Sequence, residues 1–294
     1  MKFGTMAILG RPNVGKSTLV NRLVRQKVAI VSDKPQTTRT RILGVAHFPQ
    51  AQVALLDTPG LHRPRHRLNK RMVQAAWDTL YEADLVAVMV DGRLRPGPGD
   101  RFVLEQVADR WPSHQSLPLL LVNKIDLMAK PKVLPIIKAY SQMGTWSDII
   151  PMSAKTGLNV DRLIEVILNR VGDHGEGYSN EFVTDQSMRN FAAEIIREKV
   201  LDRTRAELPY GVAVKVEEFI EQGNLARISA FIWVEKQGQK AIVIGKGGAG
   251  VKAIGTAARL EMEQVFEMKV FLELRVKVKE AWRDTDHLLA ELGY

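Results

Sequence analysis

The run Gly10-Arg-Pro-Asn-Val-Gly15-Lys16-Ser17 has the spacing G-x-x-x-x-G-K-[ST]. That spacing suits backbone N–H groups closing around a chain of phosphates. The glycines allow the close approach, and a helix opening at Lys16 brings its positive N-terminal end. Asn13, Val14 and Gly15 form the turn. Lys16 can reach β- and γ-phosphates, and the Ser17 hydroxyl, followed by Thr18, can ligate Mg²⁺. Asp57-Thr-Pro-Gly60 lies after an apolar run. An Asp there can hold Mg²⁺ through water, and the Gly60 N–H can sense a γ-phosphate. Either motif alone can be an ordinary turn. In sequence, one opening a helix and the other ending a buried strand, they point to a nucleoside triphosphate site.

Asn123-Lys124-Ile125-Asp126 selects the base. The Asp126 carboxylate can accept from guanine N1–H and the 2-amino group, a donor pair that adenine lacks, so a buried and unpaired Asp126 would reject ATP. Ser153-Ala154-Lys155 can complete the pocket through a backbone N–H to O6. The expected ligands are GTP and GDP. A small-molecule kinase with a P-loop would not need the guanine selector. A degenerate, purely binding module would not need Lys16, Ser17 and Asp57 together.

These four motifs resemble those of translation-factor-class GTPases, and residues 1–172 fit that pattern throughout. The resemblance places Gln36-Thr-Thr-Arg-Thr-Arg41 at the first switch. There Thr38, with Thr37 as the alternative, would close onto Mg²⁺ and the γ-phosphate. Lys16 and Thr38 are then the catalytic candidates, and Ser17, Thr38 and Asp57 the metal set. Ras-type proteins carry a water-orienting Gln after the D-x-x-G glycine; here the residue is Leu61, which cannot orient water. Several GTPases lacking that Gln use an Asn at the position of Asn13 to ligate K⁺. The resemblance extends that role to Asn13, against the alternative that it only shapes the loop.

These residues need a scaffold that brings distant loops to one edge. Met6–Leu9, Val53–Leu56, Leu85–Val90, Leu119–Val122 and Ile149–Met152 read as strands. Helical periodicity lies between them at Lys16–Arg25, Leu68–Tyr81 and Val160–Val171. Continuous apolar strands alternating with helices predict a mostly parallel six-stranded sheet covered on both faces. Ile42–Phe48 and Gln52–Leu56 are the candidate antiparallel pair. Gly172–Asn180 is rich in Gly and polar residues and reads as a boundary. The expected organisation is a GTPase domain over 1–172, a linker over 173–184 and a second domain over 185–294.

After the boundary the rhythm changes. A helix is predicted from about Gln186 to Arg203, then strands near Val212–Phe219 and Ala226–Val234. The apolar run Ala241–Ile244 and a Gly-rich loop follow, then a helix over Val251–Val265 and a half-buried strand alternating from Val270 to Val278. The order read is helix, strand, strand, helix, strand. Gly245-Lys246-Gly247-Gly248 resembles the G-x-x-G loop of KH domains, which clamps single-stranded RNA backbone. The element order resembles an α+β KH domain of type II. From Lys236 to Leu260 there are five basic residues, Lys252 among them, and no acidic one. The alternative is a Gly-rich helix start with a solvated basic face.

The net charge of +9 sits wholly in residues 1–184, which hold 25 Lys/Arg and 16 Asp/Glu; residues 185–294 hold 17 of each. Nucleic-acid binding must therefore rest on local pattern. The absence of cysteine excludes disulfides and thiolate chemistry. No apolar run is long enough to span a bilayer, and no signal peptide is read at the N-terminus. The scattered Trp residues read as core or surface anchors rather than base-stacking platforms, and His62–Arg67 as a solvated basic run.

A P-loop GTPase domain joined to one C-terminal KH domain resembles the Era family. The strings GRPNVGKSTLVN, PQTTRTRI, DTPGLH, VNKID, SAKTGLNVD, EIIREK, AELPY, VIGKGGAGVK and LELRVKVK carry the likeness from end to end. The resemblance implies a monomeric switch that binds the 3′ end of 16S ribosomal RNA and acts in 30S small-subunit maturation. It implies a cytoplasmic location and peripheral membrane association as well.

Overall fold

The computed structural model describes residues 1–111, 116–172, 177–204 and 208–294. The chain forms two compact units. The first comprises Met1–Ala29, Thr38–Pro64 and Arg71–Asp185; the second comprises Ile30–Thr37, Arg65–Lys70 and Gln186–Tyr294. Residues 173–176 of the predicted linker, and Ala206 and Glu207 of the AELPY string, lie outside the described residues.

The first unit alternates strand and helix. In chain order it has β1 (Lys2–Gly10), α1 (Lys16–Val24), β2 (Ile42–Phe48), β3 (Ala51–Asp57), α2 (Arg67–Tyr81, its first turn in the second unit) and β4 (Leu85–Asp91). Then come α3 (Pro98–Arg110), β5 (Leu119–Asn123), α4 (Val133–Ser141), β6 (Asp148–Pro151) and α5 (Val160–Arg170). The sheet order is β2-β3-β1-β4-β5-β6, parallel except for the antiparallel β2–β3 pair. Both faces are covered, so the strands are apolar at consecutive positions. Met6 and Ile8 of β1 join a core with Leu19, Leu23, Leu55 and Leu163; Ala7 and Leu9 join a second with Trp77, Leu80, Val88 and Leu120. Each such buried Leu or Ile contributes about 1.5–3 kcal/mol. Because β1, β3, β5 and β6 run parallel, their C-terminal ends open on one edge, where open α/β sheets bind ligands.

Residues 177–184, in the stretch read as a linker, pack along this sheet. The Val45 N–H donates to the Val183 carbonyl at 2.8 Å, and Gln52 Nε2 donates to the Tyr178 carbonyl at 2.9 Å. Tyr178 stacks on Phe182 with ring centroids 4.6 Å apart and meets Phe3 edge-on.

The second unit contains α6 (Met188–Arg203), β7 (Ala213–Gln222), β8 (Leu225–Val234), α7 (Gln237–Ile244), α8 (Ala249–Phe266), β9 (Lys269–Val278) and α9 (Asp286–Glu291). β8 is central, antiparallel to β7 and parallel to β9. Ser187 caps α6 by accepting from the Asn190 N–H. Phe191, Ile195 and Ile196 of α6 bury against Ile228, Ile232, Ile254 and Met262. In β9, Val270 is buried while Phe271, Glu273, Arg275 and Lys277 are exposed, as the alternation predicts. Between β8 and β9 the element order differs from expectation by one helix. Ala241–Ile244 is the last turn of α7, whose start is fixed by Gln239 Oε1 accepting the Glu235 and Lys236 N–H groups at 2.8 and 3.1 Å. Four apolar residues in a row carry no period, so a short helix there has no pattern to reveal it.

Trp77, Trp111, Trp233 and Trp282 are buried, as the core reading requires. The basic run 62–67 is solvated as expected, with Arg63, Arg65 and Arg67 exposed; at the surface His66 Nδ1 lies 3.0 Å from Asp284, and Arg67 pairs with Asp286. No helix among the described residues is long and apolar enough to cross a membrane.

Candidate nucleotide and nucleic-acid sites

The loop after β1 is built for close approach. Gly15 has φ of 109°, and a Cβ there would stand 2.3 Å from Asn123 Nδ2, so no side chain fits. Lys16, the first residue of α1, is buried, with Nζ donating to the carbonyls of Gly10 at 3.4 Å and Arg11 at 3.2 Å. Burial lowers its pKa to about 8, while the Asp57 charge pulls the other way. Asp57 sits at the C-terminal end of β3. Burial pushes its carboxyl above the ordinary carboxylate range, although Lys16, the Ser17 and Thr38 hydroxyls and the Thr58 N–H oppose this.

Three oxygen donors converge. Ser17 Oγ lies 2.5 Å from Asp57 Oδ2 and 2.8 Å from Thr38 Oγ1, and Thr38 Oγ1 is 3.3 Å from Asp57 Oδ2. The other carboxylate oxygen, Oδ1, is buried without a hydrogen-bond partner. One carboxylate and two hydroxyls fit a Mg²⁺ ion that takes its remaining ligands from phosphates and water. The adjacent Thr37 hydroxyl turns elsewhere and donates to the Lys34 carbonyl at 2.6 Å. Gly60 passes so near Pro12 that a Cβ would lie 2.5 Å from its nitrogen. The next N–H, of Leu61, donates to the Gly10 carbonyl at 2.9 Å, and the Leu61 side chain is buried in the core.

The base-selecting loops are held by Asn123. Its Nδ2 donates to the Val14 carbonyl at 2.7 Å and its Oδ1 accepts from the Ala154 N–H at 2.8 Å, so one buried amide ties the phosphate loop to Ser153-Ala154-Lys155. The stem of Lys124 crosses back, and Nζ donates to the Asn13 carbonyl at 2.5 Å and to Asp91 at 2.9 Å. Asp126 lies in a single 3-10 turn and is exposed. This differs from the expectation of a buried carboxylate. Val14 lies in the turn before α1, and Ser17 and Thr18 stand in its first turn, as the motif predicts.

Three residues of this site went unread. Arg22 on α1 grips the third loop, donating from Nε to the Ala154 carbonyl at 2.5 Å and from Nη2 to that of Lys155. Asp91 anchors Lys124; burial raises its pKa, but hydrogen bonds from Arg93 and Lys124 hold it below the ordinary range. Asn21 accepts from the Val28 and Ala29 N–H groups at 2.9 Å each and fixes the chain entering the switch.

In the second unit Gly245 ends α7 with φ of 71°, and Gly247 and Gly248 follow at 58° and 82°. A Cβ on Gly245 would meet the Gly250 nitrogen at 2.8 Å, whereas one on Gly247 meets nothing within 4 Å. Lys246, Gly247 and Lys252 are exposed. Beside the loop runs a groove of about 290 Å³, walled by Lys252, Gly255, Thr256 and Arg259 of α8 and floored by Leu272 and Leu274 of β9. An apolar floor with a cationic rim, next to an exposed glycine backbone, suits bases and phosphates of a single strand.

The chain matches known proteins over both the strand–helix region and the C-terminal region. Residues 5–124 match the family described as "50S ribosome-binding GTPase", and residues 207–283 match the KH domain family. A GTPase Era from Geobacter metallireducens is 45% identical over 294 residues, covering 99% of this chain and 97% of its own. One from Alkaliphilus metalliredigens is 43% identical, covering 100% and 99%. Among solved structures, Era in complex with MgGDPNP and nucleotides 1506–1542 of 16S ribosomal RNA superposes with a TM-score of 0.93 at 38% identity, covering 100% of this chain and 99% of that one. A variant of Aquifex aeolicus Era bound to GDP and AlF4⁻ gives the same TM-score, identity and coverage.

Proposed function

From the premise that this chain belongs to the Era family of GTPases, we propose that it is a Mg²⁺-dependent switch that clamps the 3′ end of 16S ribosomal RNA during maturation of the 30S subunit. The chain is a GTPase with a KH domain. The observation that carries the nucleotide reading is the convergence of Ser17, Thr38 and Asp57, with Asp57 Oδ1 buried and unpartnered. Bound there, Mg²⁺ would neutralise charge on the β- and γ-phosphates. Lys16, already stripped of water, adds a cation that needs no reorganisation. The Gly60 N–H reports the γ-phosphate, and Thr38 closes over it. Asp126 reads guanine, with Asn123, Lys124 and the 153–155 loop holding the pocket rigid.

Leu61 points into the core and cannot position water, so attack must be assisted by other groups. We assign part of that task to K⁺ held by Asn13, whose backbone is left-handed, with φ of 64°. The GTPase domain is proposed to span 1–172, the linker 173–184 and the KH domain 185–294. A monomer acting in the cytoplasm, with peripheral membrane association, belongs to the same proposal.

The RNA reading is tested by changing Lys246 and Gly247 together to Asp. The open space around Gly247 lets the fold accept a side chain, at about 1 kcal/mol for its positive φ. The added carboxylates would repel phosphates. Filter binding of single-stranded RNA should collapse while a fluorescent GTP analogue binds as before. RNA affinity that survives the change would reduce the loop to a helix start.

A further inference from the structure

Residues 30–37 of the switch pack in the second unit, where two side chains of α6 hold them. Arg197 is 1% exposed. Its Nη2 donates both to the Thr37 carbonyl and to Glu194, and its Nε donates to Glu194 at 2.9 Å. One turn of helix covers the second grip: Glu198, 3% exposed, accepts the Val31 N–H at 2.8 Å. Its other oxygen lies 2.9 Å from Lys199 Nζ, and Lys199 pairs in turn with Glu261 of α8. The switch segment is thus gripped near its start, at Val31, and at its last residue before Thr38.

Two adjacent buried charges are a poor way to stabilise a helix packing surface. Hydrophobic residues of similar volume usually do as well or better. The Arg197 guanidinium even leaves Nη1 buried without a hydrogen-bond partner. What the pair does achieve is fixing backbone atoms, a carbonyl and an N–H, that carry no side-chain identity of their own. Holding the Thr37 carbonyl sets the peptide plane that leads into Thr38, and Thr38 Oγ1 must meet Ser17 and Asp57 within hydrogen-bond distance.

We propose that Arg197 and Glu198 are positioning residues for the triphosphate state: they hold residues 31–37 so that the Thr38 hydroxyl is placed at the metal and γ-phosphate. The inference rests on the reading of Thr38 given above. GDP has no γ-phosphate for Thr38 to close upon, so the two side chains should govern GDPNP binding and leave GDP binding nearly untouched. Losing the charge-assisted bond to Thr37 should weaken GDPNP roughly tenfold to a hundredfold.

The test compares the full-length chain with Arg197→Met, Glu198→Ala, Glu198→Gln and Thr38→Ala. Affinities for fluorescent GDPNP and GDP are measured, together with the Mg²⁺ concentration that half-saturates the GDPNP complex. Arg197→Met and Glu198→Ala should lower the GDPNP-to-GDP affinity ratio about tenfold or more and raise the Mg²⁺ midpoint. Glu198→Gln keeps an acceptor for the Val31 N–H and should restore most of the ratio. If Thr38→Ala lowers the ratio and the α6 variants do not, the positioning role falls and the Thr38 reading stands. If Thr38→Ala itself leaves the ratio unchanged, the reading of Thr38 falls and this inference with it. Equal loss of both nucleotides in Arg197→Met, with no rescue by Glu198→Gln, would make the pair structural and overturn the proposal.

Discussion

Lys16 offers a quantitative check on the nucleotide site. Without nucleotide it is a buried ammonium whose close acceptors among the described residues are the carbonyls of Gly10 and Arg11. Burial brings its pKa from 10.5 to about 8, a penalty on the charged form of about 3 kcal/mol at 1.36 kcal/mol per unit. The sign follows from proton counts. Between pH 8 and 10.5 the folded state has released this proton and the unfolded state still holds it, so stability rises with pH through that window. Below pH 8 the full penalty is present. Lys16→Met removes the titration. Its absolute stability at pH 7 is a poor readout, because the two carbonyls lose a donor and Asp57 loses a neighbouring cation. The slope is clean. Denaturant unfolding of nucleotide-free protein, followed through the first unit's transition, should show wild type gaining about 3 kcal/mol on the variant from pH 8 to 10.5. Saturating wild type with Mg²⁺ and GDP should erase that gain, because phosphates restore a favourable setting for the charge. A flat difference between nucleotide-free wild type and variant across the window would refute the desolvation argument.

Two further outcomes are expected. Asp126→Asn should weaken GTP and strengthen xanthosine triphosphate, because the new amide presents a donor to a 2-oxo group; competition titrations read this, and unchanged GTP affinity would remove Asp126 from the base pocket. Replacing K⁺ by Na⁺ should slow single-turnover hydrolysis, and Asn13→Ala should make the rate insensitive to the exchange; equal wild-type rates in both salts would leave Mg²⁺ as the only cation the reaction needs.

The chemistry-bearing loops were legible because each is a local string: eight residues around Lys16, four at Asp57, four at Asn123. The supporting residues were not, for a physical reason. Arg22 acts on the Ala154 and Lys155 carbonyls, and any residue has a carbonyl, so no partner type marks the pairing. The same holds for Asn21 at Val28 and Ala29, and for Arg197 at Thr37. Thr37 and Thr38 are indistinguishable in composition; geometry separates them by sending one hydroxyl to Lys34 and the other to Asp57. Alternating and continuous apolar runs revealed the strands well, whereas α7 hid behind a four-residue apolar run. The exposure of Asp126 depends on a ligand the sequence only implies.

The strap at 177–185 has a consequence for solubility. β2 is one of the two outer strands of the six-stranded sheet, and an open strand edge is a template for pairing with another copy of the same chain. Here the strap occupies that edge through Val183, while Tyr178 and Phe182 cover an apolar patch that includes Leu43, Val45 and Leu56. A protein cut at residue 172, where the motif-bearing region ends, would keep every candidate nucleotide-site side chain named above and still bare both the edge and the patch. It should self-associate under conditions in which a protein ending at residue 185 stays dispersed.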